Sequence, residues 1–210
     1  MSVATTARPT ITRPLAVDSR GAVALARRGW LLRCGDVDLR VRGAVPADLP
    51  LVARMHGRCS ADTLLQRYLT GGRAPSLATL TAMLAEPLVL VVQAPDGEAV
   101  ALASALRTPM RAGAEPVPAR ALSFGLVVED TWQRQGIGRA LAAHVAASAH
   151  LLGVRELVAD TAATILPLRR VMDAVGQTRG SRTDSGSRLH TRLDLSALSG
   201  LGSLRDVLAG

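Results

Sequence analysis

One stretch constrains this chain more than any other. It is Leu122 to Leu152, LSFGLVVEDTWQRQGIGRALAAHVAASAHLL. The run Leu122 to Val128 is apolar and rich in β-formers, which reads as a buried strand. A polar corner follows, Glu129-Asp130-Thr131. Then comes Gln133-Arg134-Gln135-Gly136-Ile137-Gly138, and after it a long helical pattern of Ala, Leu and Val. Strand, glycine turn and helix N-terminus together suit a pyrophosphate. The first helical turn leaves backbone N–H groups unpaired, and the helix dipole is positive there. Gly136 and Gly138 let an anion approach backbone that a Cβ would obstruct.

Three phosphate motifs compete for this stretch. A Walker loop ends in Gly-Lys-Ser/Thr, and the chain contains no lysine. A dinucleotide fingerprint, G-x-G-x-x-G/A, fails because Leu141 stands at the third small position. The pattern Q/R-x-x-G-x-G/A is met in register by Gln133, Gly136 and Gly138. With its strand, its Asp-x-Trp corner and its helix, this segment resembles the acetyl-CoA motif of the GNAT superfamily of N-acetyltransferases. An ordinary βα turn with no ligand is the competing reading. The segment Met55-His56-Gly57-Arg58-Cys59-Ser60 through Arg67-Tyr68 is similar to the first two helices of bacterial GNAT proteins related to protein lysine acetyltransferases.

Composition limits the alternatives. At 210 residues the chain suits one domain with extensions. Apolar residues make up 48% and aromatics 2%, so the core must be Leu, Val and Ala. No apolar run is long enough to span a membrane, and no signal peptide is read at the N-terminus. Cys34 and Cys59 stand in unrelated contexts, which suits free thiols in a reducing, cytoplasmic setting and offers no metal site. All 25 basic residues are arginine and the net charge is +8. Arginine without lysine beside abundant alanine reads as codon bias. Residues 1–42 supply +5 of that charge, from eight Arg against three Asp. Nucleic-acid contact through this basic arm is outweighed by a solvated tail.

Along the chain, residues 1–28 read as a basic arm, with a short helix over Gly21 to Arg28, 29–195 as the domain, and 196–210 as an apolar tail with leucines at helical spacing. Trp30–Arg33 and Val37–Arg42 form a hairpin. A helix begins at Pro46-Ala47-Asp48, and Ser60 caps a second, Ala61 to Leu69. Ser76 caps a third, ending before Pro87. Leu88–Gln93 and Ala99–Arg107 are strands joined by Pro95-Asp96-Gly97. Pro109 to Pro118 is a loop. Gly153 stops the long helix. Glu156–Asp160 is a strand, Thr164–Val175 a helix with Pro167 in its first turn, and Gln177 to Leu195 a last hairpin. The order β-α-α-β-β-β-α-β-α-β-β is similar to the GNAT fold, an α/β (α+β) architecture with a mixed central sheet and helices on both faces.

The resemblance implies an acyl-CoA-dependent transfer of an acetyl group to a primary amine, on a small molecule or a protein lysine or N-terminus, with a homodimer among the assemblies related folds adopt. Acetyl-CoA would be the co-substrate. Backbone groups near Leu126, Val127 and Val128 would hold the pantetheine arm. Gln133, Arg134, Gln135, Gly136, Ile137, Gly138 and Arg139 would take the pyrophosphate. The acid/base half is thin. Where related enzymes carry a Glu on the central strand, this chain has Ser123, which is the candidate catalytic residue as an orienter of water. The Tyr and Asn that related enzymes carry after the following strand have no counterpart between Asp160 and Gly176. A non-catalytic acyl-CoA-binding module is therefore the alternative. Tyr68 and His56 are each read as packing before acceptor contact.

Overall fold

The computed structural model describes residues 29–69, 71–107, 120–162, 167–184 and 188–196. The basic arm, the 109–118 loop, the start of the 164–175 segment and the leucine-bearing tail beyond 196 lie outside them.

The order begins with a hairpin, β1 (Trp30–Cys34) and β2 (Val37–Gly43), joined at Gly35-Asp36. A 3-10 turn at Pro46–Asp48 leads into helix α1 (Leu49–Arg58), followed by α2 (Ala61–Tyr68) and α3 (Leu77–Leu84). Then come β3 (Val89–Gln93), β4 (Ala99–Leu106) and β5 (Ala121–Val128). After a 3-10 turn at Asp130–Trp132 follow α4 (Ile137–Leu151), β6 (Glu156–Ala162), α5 (Pro167–Asp173), β7 (Thr178–Asp184) and β8 (Arg188–Asp194). The opening hairpin contributes two strands, and three helices precede β3. The expected order is therefore short by one strand and one helix.

Local chemistry accounts for the boundaries. Ser60 and Ser76 each accept a hydrogen bond from the N–H three residues on, from Thr63 and Thr79, and so cap α2 and α3. Pro167 is the first described residue of α5. Asp48 closes the first turn differently from a plain start of helix. It accepts both guanidinium arms of Arg42, at 2.7 and 2.6 Å, and the Val45 N–H at 2.8 Å. That bidentate pair holds its carboxyl below the usual carboxylate range despite burial.

Among the described residues, eight strands form one mixed sheet in the order β1-β2-β3-β4-β5-β6-β8-β7. Each neighbouring pair is antiparallel except β5 and β6. These two pair only where Ala121, Leu122 and Ser123 meet Glu156, Leu157 and Val158. Beyond Ser123 the two strands part. That gap in the sheet positions the site.

Helices cover both faces, as expected. On one face α1, α2 and α3 lie over Val89, Val91, Leu102 and Val127. On the other, α4 lays Leu141 and Val145 against Leu90, Ala103 and Phe124. The core is aliphatic throughout, and alternation along β5 divides it: Leu122 and Phe124 face α4, while Val127 faces α2. No helix among the described residues is long and apolar enough to cross a membrane.

Candidate active site

The parting of β5 from β6 exposes backbone. Glu129 N–H donates to Val100 O. Because pairing alternates along an antiparallel ladder, Ser123, Gly125 and Val127 also turn their N–H and C=O groups to β4. The N–H groups of Leu126 and Val128 therefore face the edge that β6 has left. Of the three residues expected to hold a pantetheine arm, Leu126 and Val128 present free-edge backbone. Val127 is committed to Leu102 across the ladder.

The turn that follows is curled by two left-handed residues, Arg134 at φ 61° and Gly136 at φ 84°. Such curling gathers successive N–H groups into a concave nest suited to an anion. Helix α4 begins immediately after, so the N–H groups of Ile137, Gly138 and Arg139 have no partner within the helix. Gly138 serves packing as well as access. A Cβ there would come within 2.9 Å of Leu126 Cδ2, so its absence lets α4 approach β5.

A cavity of about 440 Å³ lies along this edge. Leu126, Val127 and Val128 form its floor, the turn from Gln133 to Arg139 one end, and α2 and α5 its walls. Every sequence-predicted cofactor residue lines it except Gln135. That residue braces the turn instead: its Nε2 donates to Thr131 O at 3.1 Å, and its carbonyl accepts the Cys34 thiol at 3.4 Å. Gln133 spans strand and wall, donating from Nε2 to Val128 O at 3.0 Å and to Thr63 Oγ at 2.9 Å.

The acidic corner is structural. Asp130 accepts from Ser60 N–H, Ser60 Oγ and Thr63 Oγ. Burial pulls its carboxyl upward, but these hydrogen bonds outweigh it and hold the pKa low. Glu129 is paired with Arg58 at 3.0 Å. Neither carboxylate is placed to serve as a base.

Ser123 does not line the cavity. It is half-buried, lies beside Val158, and shares the α2 face with Gly125. The space over Gly125 holds the guanidinium of Arg67. His56 and Tyr68 are packed, not displayed. His56 Nδ1 donates to Val52 O at 2.7 Å, so its Nε2 accepts the Tyr68 hydroxyl at 2.6 Å. Burial raises the Tyr68 pKa to about 12 and lowers that of His56.

Sequence reasoning missed two features. Arg67 stood next to Tyr68 but carried no motif. His190 on β8 and Asp160 on β6 are register partners, and His190 Nδ1 donates to Asp160 Oδ1 at 2.7 Å. The imidazole Nε2 is sealed from solvent without a partner. Asp160 follows Val158 by two residues, so the pair lies on the Ser123 face where β6 leaves β5. Alternation along the two predicted strands carried that signal; their mutual register did not show in sequence.

No protein-family model and no curated protein matches the chain. Solved structures do. The GNAT domain of PAT from S. lividans superposes with a TM-score of 0.63 at 22% identity, over 75% of this chain and 90% of that one. The fold is that of the GNAT acetyltransferases. A GNAT superfamily phosphinothricin acetyltransferase from Sinorhizobium meliloti, in complex with acetyl-CoA, gives 0.57 at 18%, covering 73% and 86%. The ribosomal-protein-S18-alanine N-acetyltransferase from Escherichia coli gives 0.55 at 19%, covering 75% and 94%. In this GNAT fold the parted strands and the glycine turn bound the same cavity.

Proposed function

We propose that the protein is an acetyl-CoA-dependent N-acetyltransferase acting on a primary amine. One observation carries the reading: the open edge of β5 runs into the nest at Arg134–Gly136 and the N-terminus of α4, all on one cavity. Pyrophosphate would take the N–H groups of the turn, from Gln133 to Arg139. The pantetheine arm would pair with the Leu126 and Val128 backbone, as an added strand pairs with a sheet edge. The same N–H groups would polarise the thioester carbonyl.

The transfer needs a neutral amine whose lone pair attacks the carbonyl carbon. The C–S bond breaks, the nitrogen gives up a proton as the amide forms, and the thiolate takes up a proton, the two exchanged through water. Proximity supplies much of the rate once both partners are held. The amine must first lose a proton. No His, Asp or Glu stands among the described residues that line the cavity, so this proton passes to solvent. Ser123 would orient a water.

Thiol release from acetyl-CoA across a panel of alkylamines, peptides and proteins tests the reading. Turnover on any amine supports it. Tight CoA binding with no turnover on the whole panel would favour a non-catalytic acyl-CoA-binding module.

A further inference from the structure

Arg67 is a half-buried charge without a carboxylate partner among the described residues. Its Nη2 donates to Ser104 Oγ at 3.0 Å, and its guanidinium carbon lies 4.8 Å from the centre of the Tyr68 ring. The group rests on Gly125, where any Cβ would overlap it. Ser104 and Gly125 are partners across β4 and β5, so the guanidinium sits on the sheet itself. A guanidinium carries five N–H donors. None of its nitrogens is among the sealed, unpartnered atoms of the described core, and Arg67 lines the cavity. The unused donors therefore open on the cavity.

Such a charge is costly to bury alone. Proteins pair buried ions because desolvation is repaid only by an opposite charge with good hydrogen bonds. Here burial draws the guanidinium pKa down, and the neighbouring groups are a hydroxyl and an aromatic face, neither of them an anion. The donor's pyrophosphate is not the missing partner. Gly125 lies three residues before Val128, about 10 Å of strand from the end that leads to the turn. Arg67 therefore stands at the thioester end of the cavity.

We propose that Arg67 binds a carboxylate presented at the thioester end, carried either by the acyl chain of the donor or by the acceptor. A planar guanidinium set over the Tyr68 ring and bonded to Ser104 suits a bidentate carboxylate and would reject an uncharged group that leaves it unpaired. The inference rests on the acyl-CoA reading of the cavity.

The test uses the full chain and four substrate pairs. Acetyl-CoA and succinyl-CoA are each offered with a simple alkylamine and with an α-amino acid, and thiol release is followed. The donor arm and the acceptor arm report which partner brings the carboxylate. In one arm the carboxylated substrate is expected to exceed its uncharged counterpart by about 10- to 100-fold in kcat/KM, the scale of a charge-assisted pair. Arg67→Gln should collapse that preference, and Arg67→Lys should keep part of it. Equal kcat/KM within both arms for the wild type overturns the proposal, even if the variants fail to fold. So does an Arg67→Gln loss of the same size on all four pairs, which would mark a structural role. Calorimetry separates the two levels: no acetyl-CoA binding at all defeats the acetyltransferase reading and this inference with it, whereas binding and turnover without carboxylate preference defeats this inference alone.

Discussion

Asp130 and Ser60 meet across the site: the serine hydroxyl donates to Asp130 Oδ1 at 2.6 Å and its N–H to Oδ2 at 2.9 Å. The contact fastens the N-terminus of α2, which carries Arg67, to the end of β5. Thr63 joins by donating its hydroxyl to Oδ1 at 2.9 Å. Asp130→Ala leaves three donors without their acceptor. It is expected to cost about 0.5–1.5 kcal/mol of stability, the usual net worth of such contacts where water can reach the donors. Because the wall moves and the turn does not, KM for the amine should rise more than KM for acetyl-CoA. Urea titration and the two KM values check this; a larger effect on acetyl-CoA would contradict the structural role.

The two turn glycines should respond differently. Gly136 adopts φ 84°, a region that Asp tolerates better than most residues. Gly136→Asp should fold at a cost of about 1 kcal/mol. Its carboxylate would repel a pyrophosphate in the nest, and acetyl-CoA affinity should fall by a factor of at least about 100, some 3 kcal/mol. Gly138→Ala meets the movable end of Leu126. It should lower the melting temperature while weakening acetyl-CoA less than about tenfold. Calorimetry on both variants decides, and unchanged affinity in folded Gly136→Asp would remove the turn from the site.

The backbone half of the site was legible because its chemistry is local. Strand, glycine turn and helix follow one another from Leu122 to Leu152, and their order alone brings the N–H groups together. Serine caps at Ser60 and Ser76 were legible for the same reason, each acting within three residues. What the chain conceals is long-range register. Arg67 reaches Gly125 only because α2 crosses β5, and the empty face of a glycine looks identical in sequence whether an acyl group or a guanidinium fills it. His190 meets Asp160 only because β8 returns beside β6. Gln135 matched the turn but spends its side chain on Thr131 O.

His144 gives the stability a pH dependence. It is fully buried on α4, stacked on Trp30 with ring centroids 5.3 Å apart, and neither ring nitrogen has a partner. Burial lowers its pKa to about 4. The unfolded chain takes a proton near pH 6.5 that the folded chain refuses. Stability is therefore full above pH 6.5 and falls as pH drops toward 4, by about 2 kcal/mol at pH 5. His56, also lowered by burial, adds to the same trend. Asp48 and Asp130, whose carboxyls are held low, lose their contribution only at more acidic pH. Urea midpoints at pH 7 and pH 5 should differ for the wild type, and His144→Leu should shrink that difference. An undiminished difference would mean that another group governs it.

The last expectation concerns the proton. His190 Nε2 is sealed, and no His, Asp or Glu is among the described residues lining the cavity. His190→Gln should therefore keep kcat on an active amine within about tenfold of the wild type, while the lost contact with Asp160 lowers stability by about 1 kcal/mol. Ser123→Ala should cost less than about tenfold, since water can be held by other groups. Steady-state rates of the two variants on one active amine, with urea midpoints beside them, distinguish these roles. A loss of about 10²-fold or more in kcat in folded His190→Gln would put the imidazole in the reaction. Loss of all turnover in Ser123→Ala, with binding preserved, would put the serine hydroxyl itself in the reaction.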